Sequence, residues 1–417
     1  MSGHPLPLKG FRIVDLTMGW AGPLCTRHLA DMGADVIKIE DEVKFDWWRG
    51  ASHTPEEIAA GAHERTTNYL FMNRNKRGMS IDLTRPEGRE LVLSIVAKAD
   101  AVVENQATGV MTKLGLDYDS LKSANPGITF ISLPGFGAEG PWSAFRGYGS
   151  TFEQGAGLPH LSGGPNDPPV QLHLAFGDPV GGLTSVSALL VALYHQRKTG
   201  EGQRIDLSQV EAIMQLGIHG PLFQAVTGAP PERTGNRHHF YAPQGCYACD
   251  KPDTWLVLTV TQDAQWPVLA KAIGRPDLGD DPSLATATGR HDRAAEIDAA
   301  IAEYLARQDA VVAARHLLDL GIPASNTSGV SGPVNDPVLE SRGFWTVMDR
   351  PVTGEMKIPT PPYRIDGARA PVTRPAPWVG QDSAEVLEDV LGLSPARIAK
   401  LRKDGVIGPG TIGPRNT

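Results

Sequence analysis

Residues 180–196 read Val-Gly-Gly-Leu-Thr-Ser-Val-Ser-Ala-Leu-Leu-Val-Ala-Leu-Tyr-His-Gln, a helix-length run with no acidic or basic side chain before its histidine. A helix that is apolar nearly all round is expected inside a core, because no face of it is suited to water. Gly, Ser and Thr interrupt the run too often for a membrane span. The fold therefore has to be one that surrounds a central rod, and whatever stands at the start of that rod is held rigidly.

What stands there is Gly177-Asp178-Pro179. Proline is favoured at the first helical position, where its missing N–H would have no partner in any case. This places Asp178 as the expected N-cap, a position at which aspartate accepts the free N–H groups of the first turn. A nucleophilic carboxylate could occupy the same place, with Gly177, Gly181 and Gly182 leaving room for a substrate to approach the main chain. The two roles conflict, since a fully capped carboxylate is a poor nucleophile. A catalytic Asp178 is expected to turn at least one oxygen into a cleft.

The rest of the chain alternates strand and helix. Phe11–Leu16 is expected as a strand, followed by the turn 18–23, a helix over Leu24–Met32, and a second strand over Asp35–Ile39. Tyr69–Met72 and Met79–Leu83 read as strands, Pro86–Ala99 as a helix, Ala101–Glu104 as a buried strand and Ile128–Leu133 as another. Repeated alternation of this kind predicts a doubly wound, Rossmann-like α/β domain with a parallel sheet. The turn after the first strand is Gly19-x-x-Gly22-Pro23 rather than G-x-G-x-x-G, which argues against a dinucleotide. Asn73-Arg-Asn-Lys-Arg-Gly78 is the most basic spot in the first third, readable as a solvated turn or as a contact for phosphate. Pro134–Pro169 is a long Gly- and Pro-rich loop region with a short helix near Phe152, and loops of that length in compact domains are usually functional. It contains Arg146-Gly147-Tyr148-Gly149.

Beyond a strand at Arg204–Leu207 and a helix over Gln209–Ala225 the pattern changes. Residues 1–226 are expected to form a large α/β domain and 227–243 a linker. Residues 244–330 should form a smaller α+β domain, opened by a hairpin of Gly245–Asp250 with Trp255–Thr261, and 331–417 the remainder.

Composition limits the partners. With 417 residues and a formal net charge of −8, the chain lacks the basic balance that nucleic acid requires, and no apolar run reaches membrane-spanning length. The N-terminus lacks the basic and apolar regions of a signal peptide, and three cysteines suit a reducing cytosol, so a cytoplasmic protein is expected. Cys246-Tyr-Ala-Cys249 has C-x-x-C spacing. On a strand, however, residues three apart face opposite sides, so packing is the expected role. His173, His219, His238 and His239 fall in no metal-binding spacing, and no metal is expected.

With these residues in view, the chain resembles the class III CoA-transferase family, whose members include formyl-CoA transferase and carnitine CoA-transferase. The carrying segments are Val14–Thr17 with Ala21–Pro23, Leu29–Glu40, Asn73–Arg77, Ala101–Asn105, Gly177-Asp178, Thr199–Gln203 and Trp378–Gln381. The resemblance implies that Asp178 is the catalytic aspartate and that acyl-CoA thioesters and free carboxylic acids are the substrates, with no tightly bound cofactor. It also implies a homodimer interlocked like two links, with the large domain formed by both chain ends and the smaller one inserted. Carried over by position, Trp20, Ala21, Ile81, Asn105, Gln106, Lys113, Arg146 and Tyr148 fall where family members contact CoA.

Departures from formyl-CoA transferase bear on the substrate. Trp20 stands where that enzyme has glutamine, Asp41 replaces an arginine near the nucleotide, and its glycine-rich flap is missing around Pro243–Cys246. Formate and oxalate are therefore not expected as substrates, and the adenine side is expected to bind differently. Two alternatives remain. An α-methylacyl-CoA racemase of the same fold carries a His-Asp pair where this chain has Tyr148-Gly149, so one of two opposed bases is lacking. A catalytically silent CoA-binding protein would keep the cleft and lose the chemistry.

Overall fold

The computed structural model describes residues 6–50, 53–171 and 174–410; His173 lies outside them. The chain divides into two compact units, one built from 1–158, 171–222 and 338–417, the other from 159–170 with 223–337.

The main sheet of the first unit has six strands: β1 (Arg12–Asp15), β2 (Asp35–Glu40), β3 (Arg77–Ser80), β4 (Ala101–Glu104), β5 (Thr129–Ser132) and β6 (Arg204–Asp206). Their order is β3-β2-β1-β4-β5-β6 and every pairing is parallel. This is the doubly wound order, which reverses direction between β1 and β4 and opens a crevice at the carboxyl ends of those two strands. Alternating side chains cover both faces. Val14, Leu16, Ile37, Ile39 and Val102 pack with the Pro86–Val96 helix and with the C-terminal helices Ser383–Leu391 and Pro395–Lys403. Ile13, Val36, Ala101, Val103 and Ile131 pack on the other side with the Ala21–Asp31 helix and the long helix Gly177–Thr199. Strands buried on both faces in this way give the apolar runs seen in the sequence.

Several expectations change. The long helix buries Val186, Leu189 and Leu193, but leaves Leu183, Val191 and Tyr194 between 50% and 70% exposed. One chain does not cover the whole rod. Tyr69–Met72 is helical, within Thr67–Met72, and not a strand. There the Tyr69 hydroxyl bonds Glu40, and the Arg49 guanidinium sits 3.4 Å over its ring. Gln209–Ala225 is two helices, Gln209–Leu216 and His219–Thr227, broken at Gly217.

The basic segment 73–78 is neither a solvated turn nor a phosphate cradle. Lys76 is fully buried, with its ammonium 2.9 Å from Asp15, 2.7 Å from the Thr26 hydroxyl and 2.8 Å from Asn73 Oδ1. Arg74 pairs with Asp31 and Arg77 with Asp35. Each cation answers an acid at the end of a strand or helix, so the segment is internal cement.

In the second unit, β7 (Gln244–Ala248), β8 (Trp255–Thr259) and β9 (Ala324–Asn326) form an antiparallel sheet. Leu256, Leu258, Trp266, Ile301 and Leu317 fill the core between it and its helices. Cys249 joins that core while Cys246, on β7, is only half-buried. The segment 159–170 belongs to this unit, tied by the Gly235 N–H to Gly163 O.

Candidate functional site

The crevice between β1 and β4 is built from the turn after each strand. After β1, the chain must pass from the sheet to the first helix, and four buried contacts fix how it does so. Asp15 Oδ1 accepts from the Thr17 amide and hydroxyl, and the Lys38 ammonium donates to Thr17 O at 2.7 Å. Asp46 Oδ1 accepts from the Gly19 N–H at 2.8 Å. After β4, the Asn105 side-chain amide both donates to and accepts from the Met18 backbone, each at 2.8 Å, while Gln106 Nε2 donates to Leu16 O. Asn105 and Gln106 thus clamp the opposite turn as well as facing the cleft.

Asp178 stands at the start of the long helix, but not as its cap. The helix begins at Gly177, preceded by Phe176, and the Asp178 N–H already bonds back to Ala175 O. The carboxylate is therefore free to point away from its own helix. It accepts instead from amides of two other segments: Gly149 N–H at 3.1 Å, where the Gly149–Gly155 helix begins, and the N–H of Ala21, where the first helix begins. Three helix starts converge on one carboxyl group, and each brings the positive end of its dipole. Burial pushes Asp178 up to about 6; the two amides oppose the shift, and the nearby Glu153 adds to it.

The glycines have a different use from the one expected. A Cβ on Gly177 would meet Gly149 O at 2.6 Å, one on Gly181 would meet Gln209 Cγ at 2.9 Å, and one on Gly182 would meet Ala21 O at 2.6 Å. They bring neighbouring elements close to the long helix rather than making room for substrate.

Asp178 lines a cleft of about 480 Å³ together with Trp20, Asn105, Gln106, Arg146 and Tyr148. Of the remaining residues singled out in the sequence, Ala21 is buried and contributes its amide. Ile81 and Lys113 do not line this cleft. Ile81 is enclosed in the core, bridged to Ile407, because the returning C-terminal segment covers the end of β3. Lys113 is exposed on the Val110–Leu114 helix. Sequence reasoning missed the part played by the Gly149 amide and the place of Gln209 in the cleft, whereas Trp47, read with Trp20, Trp48 and Phe136 as a hint of a bulky or apolar acyl group, does line it. Only the placement of Gly149 after Tyr148, at the head of a short helix, offered a signal for the first. At the end of β4, burial pushes Glu104 up to about 7, against the opposing Ser132 hydroxyl and Gln106 amide.

Such a site can present an oxygen nucleophile to an acyl carbonyl and hold the resulting charge on backbone N–H groups. The chain is similar to known CoA-transferases. The family model described as CoA-transferase family III matches residues 8–383. The succinyl-CoA–D-citramalate CoA-transferase of Chloroflexus aurantiacus is 32% identical over 406 residues, 97% of this chain and 98% of that protein. The succinate–glutarate CoA-transferase of Agrobacterium fabrum is 32% identical over 396 residues, covering 94% and 97%. A crystal structure of a CAIB/BAIF family protein from Brucella suis superposes with a TM-score of 0.82 at 29% identity, covering 93% of this chain and all of that one.

Proposed function

The chain belongs to CoA-transferase family III and is an enzyme of that type, and from this membership we propose that it moves CoA from an acyl-CoA thioester to a free carboxylic acid through covalent intermediates on Asp178. The observation that carries the mechanism is the placement of that carboxylate, in a cleft and outside its own helix ladder, bonded to the amides of Gly149 and Ala21.

Asp178 attacks the thioester carbonyl, the C–S bond breaks, and CoA leaves as the thiolate, giving a mixed anhydride. The thiolate then attacks the aspartyl carbonyl and expels the donor acid as its carboxylate, leaving an aspartyl thioester. The acceptor carboxylate attacks that thioester, forms a second anhydride and frees the thiolate again. Attack of the thiolate on the acceptor's carbonyl gives the new acyl-CoA and returns Asp178. One thioester is exchanged for another, so the reaction is close to isoenergetic provided water stays out. Each tetrahedral oxyanion needs a donor, and the amides at the start of the first helix are suitably placed to supply one, a contribution of about 3 kcal/mol per donor.

A racemase needs a second base facing the first. Among the described residues that line the cleft, Asp178 is the only carboxylate and there is no histidine, which favours transfer. The expected results are these. Asp178→Ala loses CoA transfer between acids, and hydroxylamine added after acyl-CoA converts Asp178 of the native protein to a hydroxamate detectable by peptide mass spectrometry. Because the nucleophile must be ionised and Asp178 titrates at about 6, the rate of acyl-enzyme formation falls as pH drops through that value. An Asp178→Ala protein with full transfer activity would refute the mechanism.

The working unit under this proposal is a homodimer. The exposed stripe of Leu183, Val191 and Tyr194 supports it, since an apolar face on a central helix needs cover. Sedimentation equilibrium should give twice the mass of the chain; a monomer at micromolar concentration would refute it.

A further inference from the structure

Four aromatic rings make a continuous arc beside the Asp178 carboxylate. The amides on that carboxylate belong to Ala21 and Gly149, and the residues that precede them, Trp20 and Tyr148, line the same cleft as Asp178. Trp20 lies 5.4 Å from Trp48, Trp48 lies 5.8 Å from Trp47, and Trp47 lies 5.5 Å from Tyr148, centroid to centroid. The seat of Trp47 is constructed. Its indole rests on Gly19, where a Cβ would fall 2.5 Å from Trp47 Cζ2. Asp46 holds both sides of this seat by accepting from the Gly19 and Trp48 amides.

Rings that serve packing alone are normally enclosed. Here Trp47 is 40% exposed and Tyr148 65% exposed, and both line the cleft with Trp20, Met18 and Phe145. The charge of the cleft also matters. Arg146 is the only cation among the described residues that line it, and it is exposed. A diacid would bring a second carboxylate into this space, and a carboxylate taken from water needs a cation and donors of its own. A flat apolar ring needs neither, and finds aromatic edges and faces at stacking distance.

We propose that the acyl group exchanged at Asp178 is that of an aromatic monocarboxylic acid, its ring held against Trp47 and Tyr148. This rests on the transferase reading above and narrows it to a class of acid. The bonds made and broken are those already described: the arylacyl carbon leaves sulfur for the Asp178 oxygen, and CoA departs as thiolate.

The test uses the full chain with phenylacetyl-CoA and succinyl-CoA as donors. The acceptors are acetate, succinate, glutarate, phenylacetate and cinnamate, with product thioesters quantified by mass spectrometry. Phenylacetate or cinnamate should exceed succinate and glutarate in kcat/KM by about tenfold or more. Trp47→Ala should lower the phenylacetate-to-acetate ratio of kcat/KM by about tenfold, while Trp47→Phe, which keeps a ring, should retain most of it. Preference for succinate or glutarate, or an unchanged ratio in Trp47→Ala, overturns the aromatic assignment and leaves the transferase reading standing. Absence of exchange with every donor and acceptor overturns both.

Discussion

Gly149→Ala is expected to lower kcat/KM for CoA transfer by about 10²- to 10³-fold in a protein that still folds. A Cβ at this position would stand 2.4 Å from Asp178 Oδ2, 2.5 Å from Ala175 O and 2.8 Å from the Asp178 nitrogen. All three neighbours belong to the segment that carries Asp178; two are backbone atoms, and the third is the carboxylate oxygen itself. The added methyl group therefore has to push Asp178 itself, and the Gly149 N–H that now orients the carboxylate goes with it. A displacement of about 1 Å is enough to cost two orders of magnitude, because attack on a carbonyl depends on distance and angle together. Steady-state kinetics alongside circular dichroism separates this outcome from unfolding. Native-like spectra with undiminished kcat/KM would show that the carboxylate is not held where we place it.

Lys76→Met should destabilise the protein by about 3–5 kcal/mol at neutral pH, read from urea unfolding. The ammonium donates to Asp15, Thr26, Asn73 and Pro23 O in a fully buried site. Burial pulls Lys76 down to about 8. Burial alone would raise Asp15, but Lys76, Lys38 and two threonine hydroxyls bring it to about 2. Without Lys76, Asp15 loses its nearest cation and its carboxyl rises. The variant's deficit is then full above that raised pKa and shrinks as acid protonates the group. Adding Asp15→Asn to Lys76→Met should recover most of the loss, since the penalty comes from an unmatched buried charge and not from a missing contact. If Lys76→Met unfolds like the native protein at pH 7.5, the network is not what anchors the turn.

How much of this was legible depended on whether the signal lay in one segment or between two. The strands around Val14, Ile37 and Val102 were readable because both faces of each are covered, which turns the strand itself into an apolar run. The helix start at Asp178 was readable because glycine and proline around it mark one, although the structure moves that start two residues upstream and frees the side chain. The basic segment was misread because a lysine among arginines looks the same whether it meets a ligand or Asp15, sixty-one residues away. Tyr69 was misread for a similar reason, since its helix rests on a ring contact with Arg49 and a bond to Glu40. Gly149 was named in its segment but its part was not read, because what it contributes is an N–H, which every residue but proline has, and a space, which no residue type announces. Ile81 was carried over by position along the chain, and position does not say which way a side chain faces.

The meeting of three helix starts at Asp178 has one more consequence. Residues 21, 149 and 178 belong to segments that are remote along the chain, so the reactive centre exists only when distant parts have closed on one another. Forming such contacts late is the general fate of pairings with high sequence separation. A chain that is half folded, or in which one of these elements has slipped, has an ordinary aspartate there and none of the reactivity. Under the proposed mechanism such copies would leave acyl-CoA untouched, and loss of turnover on warming should precede loss of the sheet beneath it.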